Sequence, residues 1–443
     1  MFDKRYTKNC RIYEMLAAAP RHTSFHTPGH KEGKWDITEL SFSDNLSQPT
    51  GVLKAAQEDI AHILGAASSF ILTDGSTSGV LSALYASGVK KLILPVASHK
   101  SAYNGCKLFG ITPVRYQTSY RGGIPVQPTA EEIKKSLIDS HADGVFITSP
   151  DYYGNVADLS AIKSVCCKYG ALLLCDGAHG GHLKGTPLYA GNYCDMWVDG
   201  VHKSLPAFTQ GAVVSAKTSL LSERLGEAVD VFRTTSPNYL IMASVEYAVK
   251  YPAAPQIEKA ANRLKKELNA YPNEDWTKVL ISYGENAARV NGFLESEGIY
   301  PEFCDGENIM FYLSPACSVA SLKRLKTTLQ SLSELQKNIW KTGGMPETNA
   351  EKDAFKPVAD GKRIKKENEL VSVVCAENVA WVDLESCAGR VCAKNAGLFP
   401  PCIPVAIEGE KIEAEQAEKL KKAKNTYGLK DGKIAVYKLC EEN

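Results

Sequence analysis

Between residues 70 and 215 short apolar runs alternate with amphipathic stretches, and this alternation constrains the fold more than any other feature of the chain. The runs lie at 69–72, 91–96, 144–148, 171–175, 196–199 and 211–215. Between them, 131–138 and 160–169 repeat apolar residues at helical spacing. A strand that is apolar throughout is buried on both faces, and strands that alternate with helices are joined in parallel. The pattern therefore predicts an α/β fold with a mainly parallel sheet covered by helices on both sides. Ligands of such sheets bind outside the carboxyl ends of the strands.

Beyond about Tyr251 the pattern changes. Helical stretches at 260–268 and 319–335 flank a short run at 308–312, and a second strand-rich patch lies near the C-terminus. The stretch 342–363 is rich in Gly, Pro, Lys and Glu and reads as a connector. A chain of 443 residues exceeds one ordinary core. The expected division is a large domain with its N-terminal segment, residues 1–255, then a smaller α+β domain, residues 256–443.

Charge and cysteine usage narrow the function classes. Lys plus Arg total 51 against 50 Asp plus Glu, a net charge of +1, so nothing favours nucleic acid. No apolar stretch approaches the roughly 20 residues needed to span a bilayer, and Met1-Phe2-Asp3-Lys4-Arg5 lacks the apolar core of a signal peptide. The 13 cysteines include the adjacent Cys166 and Cys167, and Cys175 lies inside an apolar run, a placement unlike a disulfide framework or a zinc site. A reducing cytoplasm is the expected compartment.

Four strand ends hold the polar groups. The first is Thr73-Asp74-Gly75-Ser76-Thr77-Ser78-Gly79, where backbone N–H groups and hydroxyls at a helix N-terminus would suit a phosphate. The same hydroxyls also fit plain helix caps. The second is Ser98-His99-Lys100-Ser101: His99 could stack on an aromatic ligand or move a proton, or be an ordinary loop histidine. The third is Asp176-Gly177-Ala178-His179. An acid ending an apolar strand is costly to bury unless something pairs with it. A pyridinium N–H would be such a partner, with Ala178 as a small contact to the ring face. A metal set of Asp176, His179 and His182, or a helix cap, competes. The fourth is Gly200-Val201-His202-Lys203-Ser204, where burial would lower the pKa of Lys203 and make it a nucleophile. A surface lysine is the plainer alternative, and His-Lys recurs at His30-Lys31 and His99-Lys100. Order selects Lys203: phosphate turn, ring histidine, strand-end acid, then lysine one strand later.

That order resembles the ornithine/lysine/arginine decarboxylase family of fold type I pyridoxal-phosphate enzymes. The stretches that carry the resemblance include Ser24-Phe25-His26-Thr27-Pro28-Gly29-His30-Lys31, Asp74-Gly75-Ser76-Thr77-Ser78-Gly79, Ser98-His99-Lys100-Ser101 and Ser149-Pro150-Asp151-Tyr152-Tyr153-Gly154. They continue through Asp176-Gly177-Ala178-His179-Gly180, His202-Lys203-Ser204, Thr235-Ser236-Pro237-Asn238-Tyr239, and Phe399-Pro400-Pro401-Cys402-Ile403-Pro404 with Glu408-Gly409-Glu410. The resemblance implies pyridoxal 5′-phosphate as cofactor and no metal. Lys203 would form the imine, Asp176 would hold the pyridine nitrogen, and His99 would stack on the ring, these three being the catalytic set. Ser76, Thr77, Ser78 and His202 would hold the phosphate, with Gly75, Ala178 and His179 completing the cofactor site. It further implies a homodimer with the active site at the interface, and a short member without the N-terminal wing domain of larger relatives.

Four departures stand out. Gly200 replaces the serine of the usual Ser-x-His-Lys, Gly177 the glutamate of Asp-Glu-Ala-His, Val96-Ala97 the Arg-Asn before the histidine segment, and Cys402 the glycine of Pro-Pro-Gly-Ile-Pro. The expected function is α-decarboxylation of arginine, lysine or ornithine to the amine and CO2. The alternatives are another pyridoxal-phosphate reaction, such as an aminotransferase or lyase step, or a non-catalytic cofactor-binding regulator. Asp44 and Glu385 are acids with no spacing argument to place them in a substrate pocket.

Overall fold

The computed structural model describes residues 2–438 except Arg21, 32–34, Gln117, Gly122, 343–378, Pro400, Pro401 and Lys424. Most of the connector predicted at 342–363 thus lies outside the described residues; Thr342 itself ends a helix. Among the described residues the strands in chain order are β1 (Ser68–Leu72), β2 (Lys91–Pro95), β3 (Thr112–Tyr116), β4 (Tyr120–Arg121), β5 (Ile124–Pro125), β6 (Gly144–Thr148), β7 (Leu172–Asp176), β8 (Met196–Asp199), β9 (Ala212–Ala216), β10 (Lys278–Ser282), β11 (Phe303–Cys304), β12 (Asn308–Tyr312), β13 (Val379–Asp383), β14 (Ala396–Leu398), β15 (Pro404–Ala406), β16 (Thr426–Tyr427), β17 (Leu429–Lys430) and β18 (Lys433–Tyr437). The helices are α1 (Arg11–Ala18), α2 (Val52–Leu64), α3 (Ser76–Ser87), α4 (Lys100–Phe109), α5 (Ala130–Ser140), α6 (Leu159–Tyr169), α7 (Val201–Ser204), α8 (Ser219–Phe232), α9 (Tyr239–Lys250), α10 (Pro255–Glu267), α11 (Ala287–Ser296), α12 (Val319–Thr342) and α13 (Ala414–Lys422).

Seven strands form the main sheet in the order β1-β9-β8-β7-β6-β2-β3. Neighbours from β8 through to β3 run parallel, and β9 is antiparallel to both β8 and β1. Each central strand is apolar on both faces because each face meets its own helical layer. Val145, Ile147, Leu173, Cys175 and Trp197 pack into one core with α2, α5, α6 and α9. Phe146, Leu174, Met196 and Val198 point the other way, into a core with α3, α4 and α8. The α/β reading of the sequence holds, and all six apolar runs are strands of this sheet. The seventh strand, β3, carries Thr112, Pro113 and Arg115 at the sheet edge, where one side needs no burial, and so has no apolar signature.

The C-terminal part is built around two cores rather than one. The sheet β10-β12-β11 packs with α10, α11 and α12. Two further three-stranded sheets, β13-β18-β17 and β15-β14-β16, share a separate core with α13. That last unit is tied to the main sheet by charge: Arg115 on β3 pairs with Glu410 and donates to the Glu408 carbonyl, and Lys107 on α4 reaches the Glu408 carboxylate at 2.9 Å. These contacts account for the Glu-Gly-Glu motif and hold the segment containing Cys402 over the ends of β2 and β6.

Candidate active site

The carboxyl ends of β1, β2, β6, β7 and β8 open into one cavity of about 600 Å³. It is lined by Gly75, Ser76, Thr77, His99, Asp176, Ala178, His179, His202 and Lys203, which brings together every candidate from the sequence except Ser78. Ser78 is buried and its hydroxyl donates to the Gly75 carbonyl at 3.0 Å.

Gly75 bears a φ of +82°, a left-handed turn open to glycine, and its N–H is spent on the Gln210 carbonyl. It is also the N-cap of α3, and no side chain caps that helix. The first-turn N–H groups therefore lack the serine or threonine cap that the plain reading required, and Ser76 and Thr77 face the cavity. The helix can lie this close to the sheet because Gly79 has no β-carbon; one would stand 2.9 Å from Val198 Cγ1.

His99 caps α4, its Nδ1 accepting from the Ser101 N–H at 3.2 Å and meeting the Ser101 hydroxyl at 2.8 Å. Burial lowers its pKa and favours the neutral ring. Asp176 ends β7, buried, with Oδ1 accepting from the Ala178 N–H at 3.1 Å. His202 directs Nδ1 to the Gly211 carbonyl at 2.9 Å, which makes Nδ1 the donor and leaves Nε2 able to donate only when the ring is protonated. Lys203 Nζ lies 3.2 Å from His179 Nε2. Burial lowers the pKa of both: it disfavours the ammonium of Lys203, and it holds His179 well below the usual histidine range, helped by the Lys203 charge.

His182, the third member of the metal alternative, turns away from Asp176 and binds Asp275 at 2.9 Å. Among the described residues no group of three or more His, Cys, Asp or Glu side chains is placed to hold a metal ion. Asp44 accepts from the backbone of Asn45, Thr50, Gly51 and Leu53, and Glu385 pairs with Lys421. Neither lines the cavity.

Of the departures noted in the sequence, Ala97 and Cys402 line the cavity, and Gly177 and Gly200 lie in the turns beside it. A β-carbon at Gly200 would stand 2.7 Å from the Ala178 carbonyl oxygen, and one at Gly177 would stand 3.0 Å from the Val198 carbonyl. The two glycines thus go together: their turns pack backbone on backbone. Gly200→Ser, which restores the usual residue, is expected to cost about 1–3 kcal/mol, because the clash is with main chain. Thermal unfolding of the variant checks this, and an unchanged Tm would show that the Ala178 turn yields freely. Cys402 sits at φ +62°, where a residue with a β-carbon is strained by about 1 kcal/mol, and its carbonyl accepts from the Lys100 N–H at 3.1 Å.

Of the wall contributed from beyond residue 255, the motif containing Phe399, Cys402 and Ile403 was legible in the sequence, and Glu302 and Tyr312 were not. Glu302, exposed just before β11, and Tyr312, ending β12, line the cavity with Tyr152. Tyr152 donates to Glu302 at 3.2 Å, and Tyr312 donates to the Tyr152 carbonyl at 3.1 Å. Tyr152 belonged to a quoted motif and could have been found; Glu302 sits in no pattern that marks it.

The family model for the Orn/Lys/Arg decarboxylase major domain matches residues 34–275, more than half of the chain. The uncharacterized protein YaaO of Bacillus subtilis is 27% identical over 93% of this chain and 94% of its own length. An arginine decarboxylase of Bacillus anthracis is 26% identical over 90% of this chain and 89% of its own. The solved constitutive lysine decarboxylase of Escherichia coli superposes with a TM-score of 0.73 at 21% identity, covering 98% of this chain and 82% of that one. A Sphingomonas wittichii serine palmitoyltransferase superposes with a TM-score of 0.56 at 17% identity, over 75% of this chain and 84% of its own. The fold is accordingly that of the fold type I pyridoxal-phosphate enzymes, and the chain belongs to the Orn/Lys/Arg decarboxylase family, a family of amino-acid decarboxylases.

Proposed function

We propose that the protein is a pyridoxal-phosphate-dependent α-decarboxylase of a basic amino acid: arginine, lysine or ornithine. The observation that carries this reading is one cavity holding both the Lys203 amine and the Glu302 carboxylate. Of the cavity's acids, Asp176 lies on its floor, and Asp151 accepts from the backbone of Tyr153 and Asn155 and from the Asn155 amide. Glu302 is left to meet a cationic side chain, oriented by the Tyr152 hydroxyl.

The residues present fit the cofactor. Asp176 Oδ2 carries no hydrogen bond among the described residues, so a protonated ring nitrogen could take it. The uncapped start of α3, with Ser76 and Thr77, suits a phosphate, and His202 Nε2 could join once protonated. Ser78 would contribute its N–H rather than its hydroxyl. Ala178 and His99 would flank the ring, with His179 beside Lys203. When bound, pyridoxal phosphate supplies a carbonyl that condenses with amines and a ring that delocalises the electron pair left by CO2. Lys203 Nζ would be the amine that carries the group, with His179 Nε2 placed at 3.2 Å to exchange a proton with it. Lys203 Nζ or His99 would be the donor of a proton to the substrate's Cα. Tyr152 and Tyr312 line the same cavity and would limit the access of water to it.

Incubation of the cofactor-loaded protein with arginine, lysine and ornithine should release CO2 and the matching amine. A keto acid product would overturn the reaction type, and absence of turnover on all three would overturn the substrate class. Glu302→Gln is expected to raise KM for the basic substrate roughly 10–100-fold with a smaller change in kcat, the scale of one charge-assisted hydrogen bond. An unchanged KM would remove Glu302 from substrate recognition. The division at residues 255 and 256, a homodimer with the cavity at its interface, and a cytoplasmic location belong to the same proposal. In support of the last, Cys10, Cys106 and Cys166 are buried free thiols.

A further inference from the structure

Directly behind the cavity wall lies a second lysine that the chemistry above does not use. Lys278 opens β10 and its side chain is fully buried, as are those of Asp275 and His182. Its Nζ stands 4.2 Å from the centroid of the Tyr312 ring. That ring meets His179 edge-on at 5.7 Å, and His179 touches Lys203 Nζ. One aromatic side chain and one imidazole thus separate two lysine amines.

Lys278 is ion-paired with Asp275, but no hydrogen bond runs directly between the two groups. Asp275 Oδ1 is taken by His182 Nε2 at 2.9 Å, the Thr277 N–H at 2.8 Å and the Thr277 hydroxyl at 2.7 Å. Lys278 faces the other oxygen at 3.3 Å, beyond the length of a charge-assisted hydrogen bond, and its hydrogen bond goes to the neutral Thr277 hydroxyl at 3.0 Å. On its other side the ammonium faces the Tyr312 ring, the group that separates it from the cavity.

We propose that Lys278 is a positioning residue for the reaction: a second buried cation, behind Tyr312, whose charge acts on the Lys203 amine through the wall formed by Tyr312 and His179. This rests on the reading of Lys203 as the lysine that carries the cofactor. A neighbouring cation is a general means of activating an amine. The other groups facing Lys203 are Asp176, His179, His99, His202, Glu302 and Cys402. Burial opposes its proton most strongly; Asp176, Glu302 and Cys402 favour it, and Lys278 adds to the opposition. Facing Lys278 are Asp275, Tyr312 and Lys265, the last spent on the carbonyls of Asn273 and Asp275.

The test is the proton affinity of Lys203 in the full-length chain purified without added cofactor. Brief acetylation across a pH series, read at the Lys203 peptide by mass spectrometry, gives a labelling midpoint. Lys278→Met is expected to move that midpoint up by about one pH unit, or about tenfold less labelling below it. Lys278→Gln keeps a donor for Thr277, serves if the first variant fails to fold, and has the same expectation. Thr277→Val disturbs the same packing and keeps the charge, so its midpoint should match the wild type. An unmoved midpoint in the neutral variants, or an equal shift in Thr277→Val, overturns the inference. Borohydride trapping of cofactor on Lys203 alongside an unmoved midpoint would overturn this inference alone, and trapping on another residue would overturn it together with the assignment of Lys203.

Discussion

Replacing Lys203 by alanine is expected to lower kcat by at least about 10³-fold, the largest effect of any single substitution in this protein. Lys203 is the lysine among the described residues lining the cavity, and burial disfavours its charged form. No neighbouring amine can substitute: Lys100 directs Nζ over the Tyr427 ring, and Lys278 lies behind Tyr312. Stability should be little changed or slightly raised, because alanine removes a charge from a low-dielectric site and no tight ion pair is lost. Steady-state kinetics with a parallel thermal melt check both halves. Turnover within tenfold of the wild type would show that the chemistry is centred elsewhere.

Asp176→Asn is expected to lower kcat by roughly 10²–10³-fold, the scale for removing one preorganised electrostatic contact. The amide can still accept from the Ala178 N–H, so the turn after β7 should keep its shape. What it loses is the negative charge that, in the proposed function, would hold a proton on the cofactor's ring nitrogen. The effect should therefore fall on kcat more than on KM, with the melting temperature nearly unchanged. A near-normal kcat would mean that the ring nitrogen does not need Asp176.

The main sheet was legible in the sequence because a strand buried on both faces has no polar positions to confuse it: 144–148 and 196–199 are read to the residue. Asp176 was marked by its place directly after such a run, and Lys203 by the order of motifs along the chain. What lay beyond reach was anything decided by a contact between distant segments. Ser78 has the same sequence context as Ser76 and Thr77, and helix rotation alone turns it to the Gly75 carbonyl. His182 looks like a metal ligand by spacing, yet Asp275, far along the chain, takes it.

The sequence by itself determined the order of strand and helix, the edge of the sheet that bears chemistry and the residues strung along it, because periodicity and strand ends are local properties. Only the tertiary structure decided that Glu302 and Tyr312 close the cavity, that Gly200 must stay small against the Ala178 carbonyl, and that Lys278 stands behind Lys203. Each of these depends on a distance between atoms far apart in the chain. Burial and Coulomb energy follow that distance, and local composition carries no record of it.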